Sequence, residues 1–203
     1  MDHEFWRARW NEGRTAFHEG KANAFLARHG EWLAQCHRIL VPLCGKTEDL
    51  AYLASRGHEV IGVELVEDAV RQFFAEHAAT PEISERDGLE IYRAGVITII
   101  AGDFFATTRE LVGTIDGIYD RAAIVALPPD IRSRYIAHLR AITPMAKREL
   151  LVSIDYPPGF AEGPPFSVDG DEVRRWFPSA QLVDEGNDQR GRAERCYTIA
   201  LAR

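Results

Sequence analysis

A carboxylate closes the apolar run EVIGVEL, where Glu64 lies 19 residues past Gly45 of the run-and-turn ILVPLCG. When strands and helices alternate to build an open parallel sheet, ligands bind outside the carboxyl ends of the strands. An acidic side chain at about this spacing accepts from both hydroxyls of a ribose. The alternative is a solvated strand end, and position by itself leaves both open. A dinucleotide would also require a G-x-G-x-x-G turn, so that its pyrophosphate can approach backbone amides at a helix N-terminus. This chain has PLCGKTEDL instead, with one glycine and then Glu48 and Asp49 in the first helical turn. Those acids suit the helix dipole, oppose a phosphate and tolerate a cation.

A ribonucleoside that carries positive charge and no phosphate fits this pattern, and S-adenosylmethionine is such a molecule. The other strand ends that would face it are Leu43-Cys44-Gly45, Gly102-Asp103-Phe104 and Asp120-Arg121. Arg121 follows the run IDGIYD directly and should project its guanidinium into the cleft. It stays protonated throughout the accessible pH range, so it cannot be a general base. Its charge favours the thiolate form of an acceptor or fixes an acidic group, and its fork of donors orients a heterocycle. The alternative is that Asp120 and Arg121 neutralise each other at a strand end.

Aromatic residues are dense near the N-terminus: Trp6, Trp10, Phe17, Phe25 and Trp32. Phe25 and Trp32 are expected to dock amphipathic helices. Trp6, Trp10 and Phe17 surround a loop flanked by Gly13 and Gly20, and either dock in the same way or close over a ligand, where an aromatic face stabilises a sulfonium as it does other cations. A segment of this kind is expected to act as a lid. His18, beside Phe17, is either solvated or in contact with the site. No His/Asp arrangement stands out as an acid-base pair.

The elements that must position these residues follow from periodicity and turn signals. HEFWRARWNEG and KANAFLARHGEWL are predicted as short amphipathic helices. Strands are expected at 39–43, 59–65, 96–102, 115–120 and 148–156. Helices carry Leu50, Leu53 and Ala54; Val70, Phe73, Phe74 and His77; and Ile131, Tyr135, Leu139 and Ile142 on single faces. The polar segment Thr80–Gly95 is expected to be a surface loop, with room for a short hairpin at Asp87-Gly88. A helix near 169–177 and two closing strands near 181–185 and 194–202 complete the chain. Alternating strands and helices of this length predict a parallel sheet covered on both faces, with an antiparallel hairpin at one edge.

Composition narrows the partners. The chain has 203 residues, 24 Lys plus Arg against 31 Asp plus Glu, and a net charge of -7. That length suits one globular domain, 1–203, in which 1–37 forms the helical lid and 38–203 the core. The charge argues against nucleic acid, whose phosphates are met largely by Lys and Arg. The apolar stretches, such as Val96 to Ala101, fall far short of the roughly 18 residues a membrane span needs. The start MDHEFWRARW lacks the apolar core of a signal peptide. A cytoplasmic monomer is the expectation. Cys36, Cys44 and Cys196 are too few and scattered for a disulfide framework, and no zinc-type cluster is present, so free thiols and no metal are expected.

WRARWNEGRTAFHEG (6–20), ILVPLCGKTEDLAYLASRGHEVIGVEL (39–65), IYDRAAIVALPP (118–129) and GPPFSV (163–168) together resemble the thiopurine S-methyltransferase family of class I methyltransferases. The motifs occur in the family's order over nearly the whole chain. The resemblance implies an α/β, Rossmann-like, doubly wound fold with a seven-stranded, mostly parallel sheet, an antiparallel last strand and a helical N-terminal lid. It implies S-adenosylmethionine as donor and, as acceptor, a small aromatic or heterocyclic molecule bearing a thiol or its selenium analogue. Carried over by motif, the cofactor contacts are Trp10 with its neighbour Trp6, Phe17, Leu43, Gly45, Glu64, the Gly102-Asp103-Phe104 loop and Arg121, with Arg121 also the candidate catalytic residue. The segment DEGNDQRGRAERCYTIALAR departs from the family pattern, so the motifs carry the donor side better than the acceptor side. A halide or other thiol methyltransferase, and a non-catalytic S-adenosylmethionine-binding module, remain as alternatives.

Overall fold

The computed structural model describes residues 3–12 and 20–201. Two short helices, α1 (His3–Asn11) and α2 (Ala24–His29), precede the sheet, and α2 continues into a 3-10 turn over Gly30–Leu33. Asn23 starts α2, its side chain accepting from the Phe25 and Leu26 amides. Then β1 (Arg38–Pro42), α3 (Asp49–Ser55), β2 (Glu59–Glu64) and α4 (Glu67–Glu76) alternate. They are followed by β3 (Glu82–Arg86), β4 (Leu89–Ala94), β5 (Ile97–Ala101), α5 (Arg109–Val112), β6 (Gly117–Arg121) and α6 (Ala123–Ala126). The chain continues with α7 (Pro129–Ile142), β7 (Arg148–Asp155), α8 (Gly170–Trp176), β8 (Gln181–Asn187) and β9 (Ala193–Ala200).

The strand order is β3-β4-β5-β2-β1-β6-β7-β9-β8. From β5 through β2, β1 and β6 to β7 every pair is parallel. The last strand, β9, is antiparallel to both of its neighbours and lies between β7 and β8, so the late hairpin is inserted into the sheet by its second strand. Alternation along each strand divides the core into two layers. Ile39, Val41, Val60 and Ile99 pack under α2, α3 and α4 beside Phe25, Leu50, Leu53 and Phe73. Leu40, Ile61, Ile100 and Ile118 face the other way, against α5 to α8 through Val112, Tyr135, Leu139 and Val173.

The expected seven strands are corrected to nine, because Thr80–Gly95 is not a loop. It forms the β3-β4 hairpin, turned at Asp87 (φ 56°) and Gly88 (φ 76°), and β4 pairs antiparallel with β5. Every residue of β3 is exposed. An edge strand with no buried face has no apolar alternation, so the usual strand signal is missing from EISER. Its partner β4 is anchored by Tyr92, whose ring stacks against Phe74 and whose hydroxyl donates to Glu67 at 2.6 Å.

Beneath α7 lies a cluster of acids. Asp120 is fully buried, accepting from the Tyr135 hydroxyl at 2.6 Å and the Ile124 amide at 3.2 Å. Glu149 on β7 is also fully buried, and neither carboxyl oxygen has a hydrogen-bond partner. Burial, reinforced by Asp120 and opposed by Arg140, pushes the Glu149 carboxyl well above the ordinary range. A folded-state value above the unfolded one of about 4.3 means that stability falls as pH rises past that point. Glu149→Met should therefore stabilise the fold by about 1–3 kcal/mol at pH 8 and progressively less toward pH 4, as read by urea denaturation across that range.

Candidate functional site

The carboxyl ends of β1, β2, β5 and β6 meet at one edge of the sheet, and the strand order reverses at β1, whose neighbours β2 and β6 continue in opposite directions. This is the switch point at which open α/β sheets form their clefts. Glu64 closes β2 there with its side chain buried. One carboxylate oxygen accepts from the Gly45 amide at 2.7 Å and the other from the Val66 amide at 2.8 Å. Burial raises its pKa to about 7, against the pull of the Val66, Gly45 and Leu65 amides. A carboxylate has about four acceptor positions, so two hydroxyl donors can still be received.

Gly102, at the end of β5, donates its amide to the Glu64 carbonyl at 2.8 Å, which ties the third strand end to the same residue. Its φ of +149° lies on the side of the map that L side chains rarely enter. Asp103 then starts a 3-10 turn over Phe104–Ala106, its carboxylate accepting from the Phe105 amide at 3.0 Å. The Phe104 ring is 1% exposed and packs against Tyr135 and His138 in the core. Phe104 therefore presents backbone, not its ring, to the cleft.

On the other side of β1, Leu43 and Cys44 face Arg121 across a cavity of about 20 Å³, room for about one water, which Lys46, Asp49 and Tyr119 also line. Two of its lining residues are non-glycines at positive φ, Leu43 (48°) and Ala122 (71°). Such strain persists only where the surroundings over-determine it, and it gathers at functional sites. Arg121 shares a strand face with Tyr119, while Asp120 between them points into the opposite layer toward Tyr135. The Asp120 carboxylate is thus engaged by Tyr135 and Ile124, and Arg121 instead acts on Asp49, drawing its pKa down against the upward push of burial.

Asp49 is the residue whose part the sequence concealed. It reads as a dipole-complementing acid, yet its carboxylate is buried, accepting from the Asn23 amide at 2.6 Å and the Tyr119 hydroxyl at 3.0 Å. It thereby joins the N-terminal segment, α3 and β6. Glu48 instead contacts His77 Nε2 at 3.1 Å, and Lys46 pairs with Glu76, so the turn is braced against the end of α4. Trp10 is buried against Val66 and Ala69, just past Glu64, with Trp6 half-buried beside it. Gly13, Phe17 and His18 lie outside the described residues.

The site thus offers one acceptor pair at a strand end and acidic groups in place of a multi-glycine anion cradle. Those features suit a nucleoside whose charge is positive and disfavour a phosphate. Among the described residues no group of three or more His, Cys, Asp or Glu is placed to hold a metal ion, and the three cysteines are buried free thiols. No described helix is long and apolar enough to cross a membrane.

A family model for thiopurine S-methyltransferase (TPMT) matches residues 1–194. The chain belongs to the thiopurine S-methyltransferase family. It is 47% identical over 187 residues to a thiopurine S-methyltransferase of Pseudomonas aeruginosa, covering 91% of this chain and 86% of the relative. A thiopurine S-methyltransferase of Azotobacter vinelandii is 48% identical over 179 residues, covering 86% and 81%. Among solved structures, the magnesium protoporphyrin IX methyltransferase of Synechocystis, with bound S-adenosylhomocysteine, aligns at TM-score 0.67 and 14% identity over 99% of this chain and 100% of that one. The 1,6-didemethyltoxoflavin-N1-methyltransferase of Burkholderia thailandensis, with that compound and S-adenosylhomocysteine bound, aligns at 0.62 and 17% over 98% and 86%. At these identities the structural likeness speaks to the fold, and it bears out the Rossmann-like methyltransferase architecture expected from the motifs.

In this member of the thiopurine S-methyltransferase family, the β5 end depends on the missing side chain of Gly102. A Cβ there would lie 2.3 Å from Leu89 Cδ2. Gly102→Ala should cost about 2–4 kcal/mol in chemical denaturation through strain and overpacking. Adding Leu89→Ala should recover part of the overpacking share, which a double-mutant cycle reads directly.

Proposed function

We propose that the protein transfers a methyl group from S-adenosylmethionine to the sulfur, or the selenium analogue, of a small aromatic or heterocyclic acceptor such as a thiopurine. The observation that carries this is Glu64, a buried carboxylate fixed by two backbone amides at the switch point, in a chain of the thiopurine S-methyltransferase family. Bound in this cleft, S-adenosylmethionine supplies a methyl already activated on a sulfonium. The protein's own part is then to bind, to orient and to keep water out. Glu64 would receive the ribose hydroxyls, and Leu43, Gly45 and the Gly102-Asp103-Phe104 turn would wall the nucleoside through backbone and small side chains. Trp10, with Trp6 and Phe17, would cover the donor from the N-terminal side, within one domain that works in the cytoplasm.

Arg121 would meet the acceptor. Permanently cationic, it lowers the cost of a thiolate beside it and offers a planar fork to a heterocycle. A thiol acidic enough to ionise near neutral pH then needs no dedicated base. Arg121→Ala is expected to lower kcat/KM by tenfold to a hundredfold, about 1.4–2.7 kcal/mol, with donor affinity changed much less. An equal loss of donor affinity would move Arg121 into the donor pocket.

Calorimetric titration tests the donor. S-adenosylhomocysteine should bind and NAD should not, and binding of NAD alone would sink the proposal. Only the carboxylate form of Glu64 receives two hydroxyl donors. Because its pKa is about 7, affinity should fall as pH drops from 8 to 6 in the native protein, and Glu64→Gln should flatten that profile.

A further inference from the structure

A second and larger cavity, of about 410 Å³, opens at the same edge of the sheet beyond the end of β7, lined by Asp155, Tyr156, Phe160, Asn187 and Arg192. Its size is that of a small-molecule pocket, whereas the space beside Arg121 holds about one water. The two lie on adjacent parallel strands. Arg121 pairs with Val152, and Asp155 is three residues further along β7, about 10 Å at strand rise. The Phe166 amide donates to the Val125 carbonyl at 2.6 Å, fastening the loop that follows the cavity to the helix that follows Arg121.

The lining has a defined chemistry. Tyr156 and Phe160 set their rings 5.8 Å apart at a 39° tilt, and Phe160 is 53% exposed, an apolar ring left in water at the rim. The Tyr156 hydroxyl donates to the Pro165 carbonyl, which fixes its ring. Arg192 stands opposite on the β8-β9 turn. Asp188 organises that turn, accepting from the Arg190 and Arg192 amides and from Arg192 Nε and Nη2. The two N–H donors of Nη1 have no acceptor among the described residues. Asp155 accepts from Arg195 Nη1 and the Ser167 hydroxyl, so the cavity is polar on one side, aromatic on the other and carries no excess charge from these pairs.

We infer that this cavity receives the far end of the methyl acceptor, resting on the methyl transfer proposed above. It selects flat aromatic or heteroaromatic molecules that stack on Phe160 and Tyr156 and present a hydrogen-bond-accepting substituent, opposite the sulfur, to Arg192. Phe160 and Arg192 are then specificity residues, and Arg192 lies in the segment that departs from the family pattern.

Thiophenol and 4-mercaptobenzamide, which share a thiol on a flat ring and differ in the distal carbonyl, separate the two contacts. The unaltered enzyme should show a KM several-fold lower for the benzamide. Arg192→Gln should remove that preference, raising the benzamide KM about fivefold to tenfold and leaving that of thiophenol within twofold. Phe160→Ala, at an exposed position that the fold tolerates, should raise both KM values while S-adenosylhomocysteine affinity stays unchanged. Unchanged KM values in both variants, with turnover intact, would overturn the inference. Should neither thiol be methylated, titration of the S-adenosylhomocysteine complex with 4-hydroxybenzamide still decides. Binding that Phe160→Ala abolishes supports the cavity and counts against methyl transfer, and no binding overturns the cavity.

Discussion

The switch-point edge depends on the grip of two backbone amides on the Glu64 carboxylate. A buried carboxylate without partners would be strongly destabilising, and here the Gly45 and Val66 amides supply them. Each amide belongs to a different turn, so satisfying one side chain fixes the exit of β1 and the entry into α4 together. The Gly102 amide on the Glu64 carbonyl adds the exit of β5. The exits of β1 and β5 and the entry into α4 are thereby registered to one residue, whose two carboxylate oxygens are held at the switch point.

Asp49 does for the other side of β1 what Glu64 does for the first. It lies at the start of α3 but bonds outward, to the Asn23 amide before α2 and the Tyr119 hydroxyl on β6. The N-terminal helices and the Arg121 strand are thus coupled through one buried acid. The unfavourable backbone at Leu43 and Ala122 falls between these two anchors, where the surrounding bonds can hold it. Arg121 contributes to the same balance, since its charge offsets the burial of Asp49.

Division of labour along the sheet edge follows from topology. β1, β2 and β5 end in glycine and acid, suited to polar groups of a nucleoside. Around the end of β7 the neighbours are aromatic rings and arginines held by their own aspartates, suited to a flat ring with few polar atoms. Insertion of β9 between β7 and β8 makes this possible, since it brings the 188–192 turn to the same edge as the 156–168 loop.

Much of this was legible in one dimension, because buried parallel strands are continuous apolar runs and amphipathic helices repeat every three to four residues. ILVPL, EVIGVEL and VITIIAG declare themselves by that rule, and Glu64 and Arg121 are conspicuous as charges at the ends of such runs. The β3-β4 hairpin was not legible as an extension of the sheet, since an exposed edge strand buries no face and its sequence is indistinguishable from a polar loop. Nor was Asp49, because a buried acid and a solvated one are the same letter and its partners lie 26 and 70 residues away. Asp120 and Arg121 are adjacent in the chain, and only the pleat sends one into the core beneath α7 and the other into the cleft. The sequence alone determined which strands form the site and which charges end them. Tertiary structure alone decided which of those charges are buried, what they bond and where the larger cavity opens, because burial and hydrogen bonding depend on segments that meet only in the folded chain.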